Sequence, residues 1–352
     1  MGEDYSRMDR NLALEAVRVT EAAALAASRW MGRGDEKQAD QAAVDAMRKA
    51  LNSLAIQGKV VIGEGERDEA PMLYIGEEVG LGTGPKIDIA LDPLEGTTIT
   101  AKGGANALAV IAMAEQGNFL FSPDVYMEKI AVGGGLPDGV VDLDAPVAEN
   151  LHNLSKALDK KVSDLVACIL DRPRHADLIE QTRKAGARVM LISDGDVAGV
   201  MATSNPESGV DIYYGTGGAP EGVLAAAALR CIGGQIQGRL VFRNDDERAR
   251  AERCGITELK RKYGTTDMAA GDVMFAATGV TDGAMLRGVR RFSHGATTES
   301  IVMRSKTGTV RTSRRITISR ENPASRRWMS DPIADIEDAA VLGVERLSLI
   351  HI

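Results

Sequence analysis

The fold follows from residues 87–98, which read Ile-Asp-Ile-Ala-Leu-Asp-Pro-Leu-Glu-Gly-Thr-Thr. The first half alternates apolar and acidic residues and then becomes apolar, which predicts a strand of about five residues that enters a buried sheet. Pro93 cannot donate a hydrogen bond to a sheet, and Gly96 tolerates unusual backbone angles. We therefore expect the strand to end at this Pro-x-x-Gly segment.

Three polar residues, Asp92, Glu95 and Thr97, would then project from a tight turn just beyond the carboxyl end of the strand. Open α/β sheets bind their ligands at this edge. Two carboxylates with a nearby hydroxyl suit hard divalent cations such as Mg²⁺ or Mn²⁺. The alternative is a solvated turn in which Asp92 accepts a hydrogen bond from a backbone amide. The turn alone leaves both interpretations open.

Patterns along the rest of the chain predict the α/β class. Alanine-rich and amphipathic patterns predict helices at residues 11–30 and 36–53, and residues 70–80 also look helical. From residue 165 to residue 230, short apolar strands alternate with helical segments, which favours parallel strands with crossovers. A chain of 352 residues suggests two domains or one large α/β unit.

Composition argues against several classes of partner. The net charge of −8 argues against general binding to nucleic acid, which requires a basic surface. The three cysteines, Cys168, Cys231 and Cys254, are widely spaced and indicate neither a disulfide framework nor a zinc site. The chain starts with a polar segment and has no long apolar run. We therefore expect a cytoplasmic protein without membrane contact.

Common hydrolase motifs are absent from the sequence. The four histidines show no H-x-x-x-H pairing, so zinc hydrolysis has no support. The chain has neither a G-x-S-x-G elbow nor a G-x-x-x-x-G-K-[ST] loop. Covalent serine chemistry and nucleotide hydrolysis therefore lose their usual sequence signals.

Further acidic residues follow predicted strands. Glu64 comes directly after a short strand at residues 59–62 and has glycine on both sides. After a predicted strand at residues 210–214, we expect a glycine-rich turn and then a helix from Pro220. Glu221 lies at this glycine-rich helix start, which is a natural anion site but also a position where a carboxylate stabilises the helix dipole. The residues alone do not separate a binding role from a solvated acidic turn.

Two arginines, Arg172 and Arg174, flank Pro173 directly after a predicted buried strand. Because a guanidinium group binds phosphate through two parallel hydrogen bonds, this is the best candidate for a phosphate site. A salt-bridged surface turn is the alternative.

Three long motifs stand in a fixed order along the chain. They are residues 87–98, Gly63-Glu64-Gly65-Glu66-Arg67-Asp68-Glu69-Ala70-Pro71-Met72-Leu73-Tyr74-Ile75-Gly76 and Gly217-Gly218-Ala219-Pro220-Glu221-Gly222. Residues 87–98 resemble the metal-binding signature of the lithium-sensitive phosphatase superfamily, which usually has Asp where this chain has Glu95. With that departure, the motifs together resemble the class II fructose-1,6-bisphosphatases of bacteria. The resemblance covers roughly residues 8–320.

The resemblance implies a layered α-β-α-β-α sandwich of the sugar-phosphatase type with two sheet-containing subdomains. Taken with the glycine- and proline-rich break at residues 133–139, it places a metal-binding α+β subdomain at residues 1–140. A substrate-binding α/β subdomain would follow at residues 141–320. Residues 321–352 do not look like the family, and we expect no function from this atypical tail.

The resemblance also implies the roles of individual residues. The expected metal ligands are Asp40, Glu64, Asp92, Glu95 and Glu221, and Glu66 would be structural or support them. The expected catalytic residues are Thr97, Asp92 and Glu95. The expected substrate-binding residues are Glu95, Gly96, Thr97, Tyr126, Arg172, Pro173, Arg174, Asp194, Gly195, Asp196 and Gly218. The cofactor would be Mn²⁺ or Mg²⁺.

The implied activity is hydrolysis of fructose 1,6-bisphosphate to fructose 6-phosphate and phosphate, a reaction of gluconeogenesis. The resemblance also implies a homodimer or homotetramer. Three alternatives stay open: dual activity that includes sedoheptulose 1,7-bisphosphate, an inositol-type monophosphatase, and a silent sugar-phosphate-binding regulator. The arginine pair favours a substrate with a second phosphate.

Overall fold

The computed structural model describes residue 8 and residues 11–65 and 72–318. Within them, eight strands form a first sheet. These strands are β1 (Gln57–Ile62), β2 (Glu78–Val79), β3 (Lys86–Glu95), β4 (Leu108–Glu115), β11 (Val273–Gly279), β12 (Arg290–Phe292), β13 (Gly295–Arg304) and β14 (Thr309–Ile318). Their spatial order is β12-β13-β11-β4-β3-β1-β2, and β14 also pairs with β13. The pair β1–β3 is parallel, and the other pairs are antiparallel.

Six strands of the same described residues form a second sheet. They are β5 (Tyr126–Val132), β6 (Val166–Leu170), β7 (Arg188–Ile192), β8 (Ile212–Gly218), β9 (Gln235–Val241) and β10 (Tyr263–Gly264). Their order is β10-β9-β5-β8-β6-β7. The predicted parallel pairing holds for β6 with β7 and β8, whereas β5 pairs antiparallel with both β8 and β9.

Helices cover both sheets. They are α1 (Leu12–Ala27), α2 (Glu36–Leu51), α3 (Thr97–Lys102), α4 (Val147–Ala157), α5 (Ala176–Lys184), α6 (Asp196–Ala202), α7 (Ala219–Ile232), α8 (Asp245–Arg253) and α9 (Thr265–Met268). In the part of the chain that the structure describes, none of them combines the length and apolarity needed to cross a bilayer.

The sheets and helices stack in five layers. The helices α1 and α2 pack on the first sheet, and α7 contacts strands of both sheets. Apolar residues of α4 and α5 pack with those of the second sheet in a separate core, which includes Leu151, Leu154 and Ile179. The predicted layered α-β-α-β-α sandwich with two sheets is thereby confirmed.

The middle layer explains the composition of α7. All residues from Val223 to Leu229 are fully buried, and four of them, at 225–228, are alanine. A helix between two sheets is apolar all round, and small side chains let both sheets approach it closely. The helix therefore brings its first residues to the place where the two sheets meet.

The strand prediction at residues 87–91 was right in position but wrong about its end. The strand β3 continues through Pro93 to Glu95, and α3 follows directly after Gly96. Asp92 faces Val110 across the ladder to β4, but Glu95 faces Leu108, so β3 contains one extra residue there. Such a bulge leaves residues unpaired, and a proline without an amide hydrogen fits there.

Two other local predictions were wrong. Residues 72–77 form turns and β2 follows, so the described part of the predicted helix at 70–80 is not helical. The glycine-rich segment after residue 214 belongs to β8 and is not a turn. In both places, pairing with distant strands overrides the local pattern.

The division between the sheets does not coincide with the boundary expected at residue 140. The strand β5 lies before that residue but belongs to the second sheet, and β11 to β14 return to the first sheet. Antiparallel partners can come from distant segments, so this return leaves no local signal in the sequence. Glu66 and the tail 321–352 lie outside the described residues.

A buried chain of hydroxyl groups joins α1 to the first sheet. The hydroxyl groups of Thr20 and Thr278 lie 2.8 Å apart, and the same oxygen of Thr278 lies 2.8 Å from Oγ of Ser300. All three side chains are buried. Thr278 of β11 therefore provides a hydrogen-bond partner for one hydroxyl group on α1 and for another on β13.

We predict that Thr278→Val lowers the free energy of unfolding by about 1–3 kcal/mol, because the isosteric side chain leaves two buried hydroxyl groups without this partner. Urea unfolding would measure the change. The control is Thr312→Val on the exposed side of β14, which should change stability by less than about 0.5 kcal/mol. Equal stability of the wild type and Thr278→Val would show that the hydroxyl chain does not hold α1 on the sheet.

Candidate active site

A cavity of about 400 Å³ lies where elements of both sheets end. Nearly every residue that the sequence predicted for the site lines it. These are Asp40, Glu64, Asp92, Glu95, Gly96, Thr97, Tyr126, Arg172, Arg174, Asp194, Gly195, Asp196, Gly218 and Glu221. Pro173 does not line the cavity and instead begins the short helical turn Pro173–His175, which contains Arg174 and directly follows Arg172.

The bulge of β3 sets the direction of the first carboxylates. Asp92 accepts a hydrogen bond at 3.0 Å from the backbone amide of Leu94, which holds its side chain over the bulge. Glu95 accepts one at 2.5 Å from the amide of Val197, in the first turn of α6. This bond joins the first sheet to a helix that packs on the second sheet.

Glycines at the end of β8 make room for two other carboxylates. A Cβ atom on Gly217 would lie 2.0 Å from Oδ2 of Asp196, and one on Gly218 would lie 1.8 Å from Oε2 of Glu221. A side chain at either position would have to displace the carboxylate. Glycine at both positions therefore lets the two carboxylates lie directly against the backbone of β8.

Burial and mutual repulsion strongly raise the pKa values of the acids in the cavity. Burial raises the pKa of Glu64, Asp92 and Glu95 well above the usual range, and neighbouring carboxylates raise each of them further. Burial also raises the pKa of Asp40 and Glu221, although Lys129 partly opposes the shift of Glu221. The carboxylates of the cavity therefore lack the neighbouring positive charge that would stabilise their ionised forms.

The donor set fits divalent cations. Oε2 of Glu95 and Oε2 of Glu221 are buried and accept no hydrogen bond, a costly state that a cation would relieve. Within the described residues, no three His, Cys, Asp or Glu side chains are already arranged to share one ion. Because these carboxylates repel each other, we expect them to turn inward only with positive charge between them.

Sequence reasoning missed Lys129, which is the one cation buried beside these acids in the described part of the chain. Its side chain is fully buried in β5, pairs with Asp196, and donates a hydrogen bond at 2.8 Å to the carbonyl of Gly218. It therefore connects Asp196 to the start of α7. The only signal was a charged residue inside the apolar strand pattern at 126–132.

The arginine turn is held by a buried histidine. Nδ1 of His175 lies 2.8 Å from the carbonyl oxygen of Leu170, and Nε2 accepts a hydrogen bond from the amide of Thr216. Burial lowers the pKa of His175, which agrees with a neutral ring in this role. Nε of Arg174 donates a hydrogen bond to the carbonyl oxygen of Thr216 at 2.8 Å. Nη2 of Arg172 lies 3.7 Å from Oδ1 of Asp194. The basic end of the cavity is therefore preorganised.

The family follows from comparison with known proteins. A family model described as bacterial fructose-1,6-bisphosphatase, glpX-encoded, matches residues 10–317. The chain belongs to this family. Fructose-1,6-bisphosphatase 1 class 2 of Escherichia coli K12 is 50% identical over 318 residues, which cover 86% of this chain and 94% of the relative. Class 2 fructose-1,6-bisphosphatases of Escherichia coli O6:H1 and Shigella flexneri match with the same identity and coverage.

These comparisons confirm the resemblance to class II fructose-1,6-bisphosphatases. They also confirm the predicted class of enzyme, a phosphoric monoester hydrolase. The roles of single residues do not follow from the family name and rest on the geometry of the cavity.

We predict that the metal-free protein loses stability as the pH rises above about 4.5, the ordinary range of carboxyl groups, and through the raised pKa values of the buried acids. In the folded state, burial and repulsion raise the pKa of Glu64, Asp92 and Glu95, so the folded protein keeps protons that the unfolded chain releases. That stabilisation is present at low pH and is lost as the pH rises through the folded-state values. Thermal unfolding in chelator would measure the slope.

Asp92→Asn should make that slope shallower, because it removes one repelling charge and keeps an oxygen for the amide of Leu94. Asp246→Asn, a change of an exposed acid on α8, is the matched control and should keep the wild-type slope. Identical slopes for wild type and Asp92→Asn would contradict the proposed repulsion.

Proposed function

We propose that this chain hydrolyses the 1-phosphate of fructose 1,6-bisphosphate, which yields fructose 6-phosphate and phosphate, as in gluconeogenesis. The observation that carries the proposal is one cavity with carboxylates at one end and two arginines at the other. A bisphosphate needs both ends, because each of its phosphates requires positive charge or hydrogen-bond donors. Family membership supports the same substrate.

Divalent metal dependence is general for this family. We propose Mg²⁺ or Mn²⁺, because the candidate ligands Asp40, Glu64, Asp92, Glu95 and Glu221 offer only oxygen atoms. Bound there, such ions polarise the reactive phosphate, lower the pKa of water and neutralise charge on the leaving oxygen.

Thr97 would position the attacking water. It is the first residue of α3, directly after Gly96, whose positive φ of 93° turns the chain into the cavity. A hydroxyl group is too weak a base to take the proton, so a neighbouring carboxylate, Asp92 or Glu95, would accept it. The role of Thr97 is therefore orientation.

The remaining residues would hold the sugar and the distal phosphate. Arg172 and Arg174 supply guanidinium groups, and Asp194 and Tyr126 line the cavity beside them. Asp196 also lines the cavity, and its Oδ2 is bound to Lys129.

The alternatives fit the cavity less well. A monophosphatase has no use for the arginine end, and a silent binding protein has no need for five carboxylates together with Thr97. Dual activity on sedoheptulose 1,7-bisphosphate uses the same groups and is the nearest alternative. We also propose the homodimer or homotetramer that the resemblance implies, and the cytoplasmic location that the composition suggests. Cys168, Cys231 and Cys254, all within the described residues, form no disulfide.

We predict that Thr97→Ala folds and binds Mn²⁺ like the wild type but has a kcat that is lower by roughly 10²-fold, because the water loses its orientation. Phosphate release and metal titration would measure the two properties. Thr307→Ala, on an exposed turn, is the control and should keep full activity. A normal kcat of Thr97→Ala would remove this residue from the mechanism.

The activity itself is tested by phosphate release from fructose 1,6-bisphosphate and sedoheptulose 1,7-bisphosphate, each with Mn²⁺, with Mg²⁺ and with chelator. We expect metal-dependent release from the first substrate, and the ratio of kcat/KM decides whether the enzyme has one substrate or two. No release from either substrate by folded, metal-bound protein would favour the silent binding protein.

A further inference from the structure

A third arginine, Arg243, lies beside the basic end of the site, just outside the residues that line the cavity, and has no role so far. The guanidinium carbon of Arg243 is 4.9 Å from the centre of the Tyr126 ring, and that of Arg174 is 5.1 Å from the same centre. The two guanidinium groups are therefore no more than about 10 Å apart. Tyr126, which lines the cavity, therefore contacts both arginines.

Sheet pairing brings Arg243 to this place. Tyr126 pairs with Gly218 of β8 on one side and with Val241 of β9 on the other. Arg243 follows two residues after Val241, just beyond the end of β9, so it lies at the same edge as the cavity. The distance along the chain hides this relation from the sequence.

A buried acid fixes the side chain of Arg243. Glu247 is 2% exposed, and its carboxylate accepts hydrogen bonds from the backbone amide of Arg243 at 2.7 Å and from Nε at 2.6 Å. Nη2 also lies 2.5 Å from Oε1 of Glu247. Asn244 caps the same turn by accepting a hydrogen bond from the amide of Glu247. The guanidinium plane is thus set before any ligand arrives.

The fixed arginine keeps donors for a ligand. Its contacts with Glu247 use Nε and Nη2, and no contact in the described part of the chain uses Nη1. The side chain is 57% exposed, so an anion in the cavity mouth can approach it. Glu247 offsets the positive charge of Arg243. Arg243 therefore acts on an anion mainly through directed hydrogen bonds and through stacking on Tyr126.

We infer that Arg243 is a specificity-determining residue, which binds the distal phosphate beside Tyr126 and so selects bisphosphates over monophosphates. The inference rests on the proposed function. It assigns three arginines to that phosphate, of which Arg243 is the one held by a buried carboxylate. A lysine at this position keeps the charge but loses the planar fork and the stacking.

The test compares Arg243→Gln and Arg243→Lys with the wild type on two substrates, fructose 1,6-bisphosphate and fructose 1-phosphate, which lacks the distal phosphate. For the bisphosphate we expect KM to rise about tenfold or more in both variants, with kcat nearly unchanged. For fructose 1-phosphate we expect no change. Arg248→Gln is the control, because this arginine lies near Arg243 in the chain, on α8, and pairs with the exposed Asp245.

Three outcomes would overturn the inference: an unchanged KM for the bisphosphate, an equal loss on both substrates, or full activity of Arg243→Lys. Calorimetric binding of fructose 6-phosphate, which carries the distal phosphate, separates this inference from the proposed function. If the wild type binds it without releasing phosphate from the bisphosphate, the proposed activity fails, but Arg243→Gln still decides the role of Arg243. Undiminished binding by that variant would exclude this role.

Discussion

Repulsion among buried carboxylates is the constraint that the rest of this structure satisfies. The acids lie on separate rigid parts of the fold: Asp40 on α2, Asp92 and Glu95 on β3, and Glu221 on α7. Bringing such charges together out of water is unfavourable. The burial of apolar residues on both sides of each sheet offsets this free energy. Lys129 and the amide of Val197 offset part of the charge. The scaffold is large because it has to hold an unfavourable arrangement in place.

The two ends of the cavity come from different parts of the fold. The first sheet and its helices supply most of the carboxylates, and the loops of the second sheet supply Arg172 and Arg174. The helix α7 lies between them and carries Glu221 at its start. The hydrogen bond from Val197 to Glu95 crosses the same junction. The distance between the two ends is therefore set by how the layers pack on α7.

The sequence allowed the layered fold and the location of the site to be predicted because strand ends and glycine-rich turns are local signals. The continuation of β3 through Pro93 was not predictable, since it depends on the spacing of Asp92 and Glu95 against β4. The pairing of Lys129 with Asp196 was also hidden, because it joins residues far apart in the chain. Local propensity thus located the ligands but not the contacts that support them.

The position of β11 has a consequence for how the chain reaches this structure. This strand lies between β4 and β13, yet it follows the entire second sheet along the chain. During synthesis on the ribosome, the apolar edge of β4 therefore stays unpaired until residues 273–279 have emerged. Such nonlocal pairing slows folding and leaves an unpaired, aggregation-prone strand edge exposed until β11 is available. The first sheet can therefore close only after the whole second sheet has been synthesised.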